Sequence, residues 1–320
     1  MSARRGVVRA GVGVAVLVGL LVVLGFFVTR PANDPAILAA AVPTVSAFED
    51  RAARRFDGER ALAYAAQQVG FGPRPSGSAA LRQAGDAILA ELERCGWQTE
   101  TQEFEYMGTP IRNLTGKAAI GAGPVVIIGA HYDTRRVADE DPVDPTAPMV
   151  GANDGASGVG VLLELACTLD SAAVGNEIWL VFFDAEDNGR LDGWDWIVGS
   201  TYYAEHLTIT PAGMVLVDLV GDANQELYYE RNSTPEWRER IWQVAGELGY
   251  GSWFVPTPRY SIIDDHTPFL RAGIPAVDII DFDYPYWHTT EDTLDKLSAD
   301  SLERVGRTVE TLLEQNLLPP

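Results

Sequence analysis

The sequence has few basic residues and few histidines. It contains 24 Lys and Arg against 45 Asp and Glu, which gives a formal net charge of −21, and it has only four histidines in 320 residues. Because nucleic-acid binding depends on Lys and Arg neutralising phosphates, this balance argues against a nucleic-acid partner. The chain also lacks internal repeats and low-complexity blocks. Its 47% hydrophobic content can therefore build the core of one large α/β domain.

Cysteine is nearly absent as well. Only Cys95 and Cys167 occur, both within helical patterns, and the sequence does not reveal whether they pair. We therefore expect two buried thiols. No cysteine lies directly after the apolar N-terminal segment, so nothing indicates a lipid-anchored form.

One long uncharged run lies near the N-terminus. Residues 10–28 are almost all Val, Leu, Gly, Ala and Phe, and they follow Arg4, Arg5 and Arg9. This length spans a bilayer, and the preceding arginines orient it with its N-terminus inside. We expect a cytoplasmic N-terminus (1–9), a transmembrane signal anchor (10–28), a stalk (29–57) and a domain outside the cytoplasm (58–320). A cleaved signal peptide with secretion of the domain is the alternative.

Buried strands alternate with helices along the domain. Residues 125–130 form a continuous apolar run typical of a strand covered on both faces, and 178–183, 214–220 and 276–280 are further buried runs, the last two interrupted by Asp218 and Asp278. Residues 98–106 alternate like a partly exposed strand. Helical patterns lie at 61–69, 80–92, 155–169, 237–248 and 302–312. This order predicts a three-layer α/β/α fold with a central, mostly parallel mixed sheet.

Histidine and acidic residues follow several of these runs. His131, Asp218 and the pair Glu186-Asp187 lie at or just beyond strand ends, where ligands bind in open α/β sheets. Asp154 follows Asn153, and His288 follows Tyr286-Trp287. Each residue alone has an ordinary explanation; Asp154, for example, could cap the helix that follows it. Their joint occurrence indicates a metal site.

Zinc suits this set of ligands. A catalytic zinc usually takes three protein ligands of the imidazole and carboxylate type, and Asp154, Asp187 and His288 would supply them. Glu186 would then be free to transfer protons beside the metal. His131 and Asp218 would either hold a second zinc ion, with Asp154 bridging, or form hydrogen bonds around the first.

Six segments carry a resemblance to a known family. They are His131-Tyr-Asp-Thr-Arg, Gly151-Ala-Asn-Asp-Gly-Ala-Ser-Gly, Phe182-Phe-Asp-Ala-Glu-Asp, Val217-Asp-Leu-Val-Gly, Asp264-Asp-His-Thr-Pro-Phe-Leu and Tyr286-Trp-His-Thr. In this order, across residues 59–318, they resemble the zinc aminopeptidase superfamily, and within it the bacterial glutaminyl cyclases. The motifs are more specific to the superfamily than to either activity.

The resemblance implies an enzyme that converts N-terminal glutamine of peptides and proteins to pyroglutamate with release of ammonia. It implies one catalytic zinc on Asp154, Asp187 and His288, with Glu186 as the proton-transfer group and Asp218 and Asp264 holding it. Aminopeptidases of the superfamily commonly have serine at the position of Asp264, which favours the cyclase.

The resemblance leaves several points open. A pocket tryptophan is expected after the zinc-binding acidic pair, and we assign Trp194, with Trp196 as the alternative. Trp287 is assigned to the same pocket, although a core position is also compatible with its pattern. Asp187 departs from the glutamate of animal cyclases, but its shorter arm still suits zinc. A zinc aminopeptidase and a non-catalytic ectodomain of the same fold are the alternative functions.

Overall fold

The computed structural model describes residues 55–319. Its strands are β1 (Gln98–Tyr106), β2 (Thr109–Ala118), β3 (Val125–His131), β4 (Glu177–Phe183), β5 (Gly213–Asp218), β6 (Leu227–Glu230), β7 (Phe254–Tyr260) and β8 (Ala276–Ile280). Its helices are α1 (Gly58–Gly70), α2 (Ala79–Arg94), α3 (Ala156–Thr168), α4 (Val198–Glu205), α5 (Pro235–Glu247), α6 (Thr267–Arg271) and α7 (Ala299–Glu314), with a 3-10 helix at Leu294–Lys296.

A six-stranded mixed sheet forms the centre. The strand order is β1-β2-β4-β3-β5-β8. Strands β4, β3, β5 and β8 are parallel, whereas β1 and β2 join one side as antiparallel strands. Strands β6 and β7 form a separate parallel pair. The predicted mostly parallel mixed sheet is confirmed.

Successive residues of the central strands enter two different apolar clusters. Ile128 on β3 belongs to the larger cluster, together with side chains from α1, α2, α3, α5 and α7. Its neighbour Ile127 belongs to the smaller cluster, with Tyr203 of α4 and Phe269 of α6. Since side chains alternate between the faces of a strand, the two clusters lie on opposite faces of the sheet. Helices therefore cover both faces, which gives three layers.

Three strands, β2, β6 and β7, were not predicted from the sequence. The clearest case is β2, which contains Pro110, Arg112 and Asn113 and so has no apolar pattern. It is nevertheless largely buried because it lies between β1 and β4. Its polar groups are satisfied there: Asn113 Nδ2 donates to the Gly199 carbonyl (2.9 Å), and Arg112 Nη1 pairs with Asp86 (2.7 Å). Hydrogen bonds to neighbouring segments thus stabilise β2 although it has no hydrophobic pattern.

The expectation of two free thiols is wrong. Cys95 and Cys167 form a disulfide, with their Cα atoms 5.0 Å apart. Cys95 lies at the C-terminal end of α2 and Cys167 near the end of α3. The two helix ends meet only in the folded chain, so the sequence pattern did not reveal the pair. The bond closes a loop with a sequence separation of 72 residues.

Residues just before α1 pack onto the rest of the domain. Phe56 is buried beneath α7, and its backbone N–H donates to Glu310 Oε1 (2.9 Å). Asp57 caps α1 by accepting from the Arg60 N–H. The predicted anchor at 10–28 and most of the predicted stalk lie outside the described residues. Within residues 55–319, no helix is both long and apolar enough to cross a membrane.

Candidate active site

The predicted site residues meet at one edge of the central sheet. His131 and Asp218 are the last residues of β3 and β5, and Glu186 and Asp187 follow the end of β4. Asp154 precedes α3, and His288 lies in the segment after β8. The carboxyl ends of parallel strands share this edge, so residues far apart in the chain become neighbours.

Asp154, Asp187 and His288 form a compact buried group. His288 Nε2 lies 2.8 Å from Asp187 Oδ1 and 3.6 Å from Asp154 Oδ2. One possible ligand atom from each residue lies within 4.8 Å of those of the others. In a tetrahedral zinc site with bonds of roughly 2.0–2.2 Å, ligand atoms are about 3.4 Å apart. The separations in this group are therefore close to those of a zinc site, and small side-chain movements would bring the three ligand atoms to bonding distance of an ion.

The electrostatics of this group also fit a cation. Oδ2 of Asp154 and Oδ2 of Asp187 are buried and accept no hydrogen bond from any described residue. Burial, followed by the nearby charge of Asp154, raises the pKa of Asp187 to about 6. Burial acts to raise the pKa of Asp154, but the hydrogen bond to His131 and the charges of His131, His288 and Arg135 together lower it. Two adjacent buried carboxylates with unused oxygens are stabilised by a divalent cation.

The segment around Asp154 is held by backbone contacts. Asp292 accepts from the N–H groups of Asn153 (2.8 Å) and Asp154 (3.2 Å). Next to it, a Cβ on Gly155 would lie 2.5 Å from His131 Nε2, so a larger residue there would displace that imidazole. The side chain of Asp154 does not cap α3, because the capping position is Gly155 and no side-chain bond is made there. The helix-cap explanation of Asp154 is therefore excluded.

His131 and Asp218 share Asp154 with the first group. His131 Nε2 lies 3.1 Å from Asp154 Oδ1 and 3.1 Å from Asp218 Oδ1. Burial acts to lower the pKa of His131, but the charge of Asp218 and hydrogen bonds to carboxylates raise it well above the usual value. These three residues also have ligand atoms within 4.8 Å of one another. They could hold a second ion, or His131 could simply join the two carboxylates by hydrogen bonds.

Glu186, Asp218 and Asp264 form an acidic group beside the metal-binding set. Burial, followed by the charge of Asp187, raises the pKa of Glu186 well above the usual value. Burial, followed by the charge of Asp218, raises the pKa of Asp264 to about 7. Glu186 keeps 8% of its surface exposed, so it reaches solvent while Asp264 lies deeper at 3%. A carboxyl group with a raised pKa can accept and return a proton near neutral pH.

The two candidate pocket tryptophans have different positions. Trp194 is buried with Ile111 and Val198, and its ring contacts Tyr106. Trp196 stacks near His288, with ring centroids 6.0 Å apart and planes 14° apart. The tryptophan beside the site is thus Trp196, our alternative assignment. Trp287 also stacks on His288 at 3.6 Å, as a partly buried ring.

Besides Asp292, three residues that position the site were not predicted to have a role. Asp133 accepts from the N–H groups of Glu186 (3.2 Å) and Asp187 (3.4 Å). Arg135 donates to the Asp187 carbonyl (2.7 Å) and pairs with Asp139, which lies 3.6 Å from His288 Nδ1. A carboxylate near the second ring nitrogen orients a ligand histidine. The sequence signal was the His131-Tyr-Asp-Thr-Arg segment, which contains Asp133 and Arg135.

The remaining two histidines lie outside the metal-binding set. His206 is exposed after α4, and its ring stacks on Tyr202. His266 is fully buried, with Nε2 3.4 Å from Glu230 and Nδ1 3.8 Å from Asp278. It therefore lies behind Asp264 among further buried acids.

Comparison with known proteins identifies the class. The α/β fold with its mixed central sheet matches structures of zinc-dependent exopeptidases. The model of peptidase family M28 matches residues 111–313. The chain belongs to this family.

Individual relatives in the family are similar over most of the domain. A glutaminyl-peptide cyclotransferase-like protein of Bos taurus is 28% identical over 283 residues, covering 77% of this chain and 72% of its own. Glutaminyl cyclase of Bacteroides thetaiotaomicron is 31% identical with a TM-score of 0.77, covering 82% and 98% of the two chains. A Zn-dependent exopeptidase of Parabacteroides distasonis is 34% identical with a TM-score of 0.75, covering 81% and 98%.

Proposed function

We propose that this protein is a zinc-dependent glutaminyl-peptide cyclotransferase, which converts N-terminal glutamine of peptides and proteins to pyroglutamate. The observation that carries the proposal is the buried carboxyl group of Asp264 beside the metal-binding set. Burial and the charge of Asp218 raise its pKa, and its own charge adds to burial and Asp187 in raising the pKa of Glu186. The similarity to proteins named as glutaminyl cyclases supports it.

Asp154, Asp187 and His288 would hold the zinc ion. When bound there, zinc polarises the γ-amide carbonyl of the substrate glutamine. Two other carboxylates keep these ligands in place. Asp292 accepts from the backbone N–H of Asp154, and Asp133 accepts from the backbone N–H of Asp187. Asp139 orients the imidazole of His288 from the other ring nitrogen.

The chain's own carboxyl groups move the proton. The α-amine nitrogen of the substrate attacks the γ-carbonyl carbon, a new C–N bond forms, and the bond to the side-chain nitrogen breaks. Glu186 takes a proton from the attacking amine and returns one to the departing nitrogen, which leaves as ammonia. Burial and the charges of Asp187 and Asp264 raise the pKa of Glu186, and burial and the charge of Asp218 raise the pKa of Asp264 in the same way. Because the nucleophile and the carbonyl belong to one residue, ring closure is favoured by geometry.

The substrate prediction can be tested with two peptides. We incubate the zinc-loaded domain with one peptide that begins with glutamine and a matched one that begins with leucine. We expect loss of one ammonia from the glutamine peptide and no cleavage of the leucine peptide, measured by mass spectrometry and an ammonia assay. Free leucine together with an uncyclised glutamine peptide would contradict the proposal.

An aminopeptidase is the second candidate function. It is favoured by the His131, Asp154 and Asp218 group, which could hold a second ion, and by the similarity to a Zn-dependent exopeptidase. Water rather than the substrate amine would then be the nucleophile. The leucine peptide separates the two functions directly.

We also propose that the catalytic domain, residues 58–320, lies outside the cytoplasm, anchored by residues 10–28. The disulfide supports this location because such bonds persist mainly in oxidising compartments. After membrane fractionation, we expect the protein in the membrane pellet and its domain to be degraded when intact cells are treated with protease. A full-length product in the soluble cytoplasmic fraction would contradict the proposal. A shortened product in the medium would instead indicate signal cleavage and secretion.

A further inference from the structure

A groove of about 480 Å³ adjoins the candidate active site. It lies between β1, the loop before α4, α4 itself, Ile263 and Arg271. Its volume falls within the roughly 300–1,000 Å³ of small-ligand pockets. None of the zinc-binding or proton-transfer residues assigned above lines it. Its role is therefore separate from the chemical step.

The groove shares a wall with the site. Trp196 lines the groove and also stacks near His288. Ile263, with 59% of its surface exposed, lines the groove immediately before Asp264 in the chain. The loop is tied to the site because the Ile197 N–H donates to the Glu186 carbonyl (3.0 Å). A peptide whose first residue reacts at the zinc site has this groove beside it for the residues that follow.

Aromatic rings form much of the groove surface. Phe104 and Tyr202 stack with ring centroids 3.9 Å apart and nearly parallel planes. Both rings are partly exposed, as are Tyr106 and Trp196. Such rings bind apolar and aromatic side chains through buried area and ring contacts, and they attract cations over their faces.

Negative charge surrounds these rings. Glu105, Asp195 and Glu205 are exposed around the groove, against one cation, Arg271. Asp195 accepts a hydrogen bond from Tyr106 (2.9 Å). Among residues 55–319, no oppositely charged side chain lies within 4.0 Å of any of these four charged groups. The surplus of carboxylates favours a positively charged ligand.

We propose that this groove binds the residues after the N-terminal glutamine and selects an aromatic side chain followed by lysine or arginine. The proposal rests on the proposed cyclase function and adds the preferred class of substrate. Acidic peptides are disfavoured by the same carboxylates. An aromatic second residue gains apolar contact with Phe104 and Tyr202, and the following cation lies among the exposed acids.

Four amidated peptides test the preference: Gln-Phe-Lys, Gln-Phe-Glu, Gln-Gly-Lys and Gln-Gly-Glu. We expect kcat/KM to be about tenfold higher for Phe than for Gly, from partial burial of the ring. We expect it to be about threefold higher for Lys than for Glu, the usual size of an exposed charge contact. Only the second ratio should disappear at about 1 M salt, where the Debye length is about 3 Å.

A charge reversal links the preference to this groove. Glu205→Lys should remove or invert the Lys over Glu ratio while the Phe over Gly ratio persists. Glu239→Lys on α5 is the matched control, because it makes the same charge change on an exposed residue outside the groove. The control should keep both ratios. An identical shift in both variants would show a general charge effect and overturn the assignment to the groove.

The result also separates this inference from the proposed function. Equal kcat/KM for all four peptides, with glutamine still cyclised, overturns the subsite and leaves the cyclase function intact. If no peptide is cyclised, the cyclase proposal fails. In that case, calorimetry on the zinc-loaded protein measures the dissociation constants of the four peptides. Binding must still be tighter for Phe than for Gly and tighter for Lys than for Glu. Equal constants overturn the subsite.

Discussion

Replacing Glu186 with glutamine should lower kcat by roughly 10²–10⁴-fold, the usual contribution of general acid–base catalysis. Glutamine keeps the shape of the side chain but cannot accept the proton from the attacking amine. Because Glu186 contributes no atom to the Asp154, Asp187 and His288 group, the variant should bind zinc as the wild-type protein does. Steady-state kinetics on a glutamine peptide and zinc analysis of the same preparation measure both quantities.

Asp264→Asn serves as a companion to this variant. Asp264 acts through Glu186, so its loss should lower kcat and shift the pH profile of kcat, whereas zinc content stays unchanged. A fall in zinc content for Glu186→Gln, with kcat little changed, would show that the ligand and the proton-transfer residue have been exchanged in our assignment.

Replacing Asp187 with asparagine should produce the opposite pattern. The variant removes a buried charge whose oxygen lies 2.8 Å from His288 Nε2. Loss of hydrogen-bonding partners around metal ligands typically weakens metal binding by about 10–100-fold, and loss of a ligand itself should exceed that, at about 100-fold or more. Zinc titration with a competing chelator measures the affinity. Activity should return partly at high zinc concentration.

The number of bound ions gives the second test of the metal site. Elemental analysis of the wild-type protein should find one zinc per chain, and Asp187→Asn should lose that ion. Two ions per chain, with His131→Ala losing one of them, would favour the aminopeptidase. No bound zinc in the wild-type protein, together with no change in activity on adding it, would favour the non-catalytic ectodomain.

Much of the fold could be predicted because the central strands are buried on both faces. The runs at 125–130 and 178–183 are continuously apolar, the run at 276–280 is interrupted only by Asp278, and each lies within or forms a strand of the sheet. Strand β2 could not be predicted, since its polar residues are stabilised by partners such as Gly199 and Asp86 that are distant in the chain. A hydrophobic pattern therefore predicts a buried strand only when apolar side chains stabilise it. It does not predict a strand such as β2, whose buried polar side chains are stabilised by hydrogen bonds.

The site was predictable to a similar degree. His131, Asp154, Asp187, Asp218 and His288 were identified because ligand-type residues follow strand after strand, and the structure brings them together. Asp133 and Asp292 were not, because they act by accepting from backbone N–H groups of other segments. Such bonds leave no characteristic residue spacing.

The sequence by itself determined the fold class, the order of buried strands and the set of side chains able to bind zinc. These properties depend on local hydrophobicity and residue type, which the chain carries before it folds. Only the tertiary structure decided that Trp196 rather than Trp194 lies beside His288, that Cys95 pairs with Cys167, and that an acidic groove adjoins the site. Each of these depends on the direction in which a loop or helix end meets a distant segment, and packing of the whole domain determines that direction.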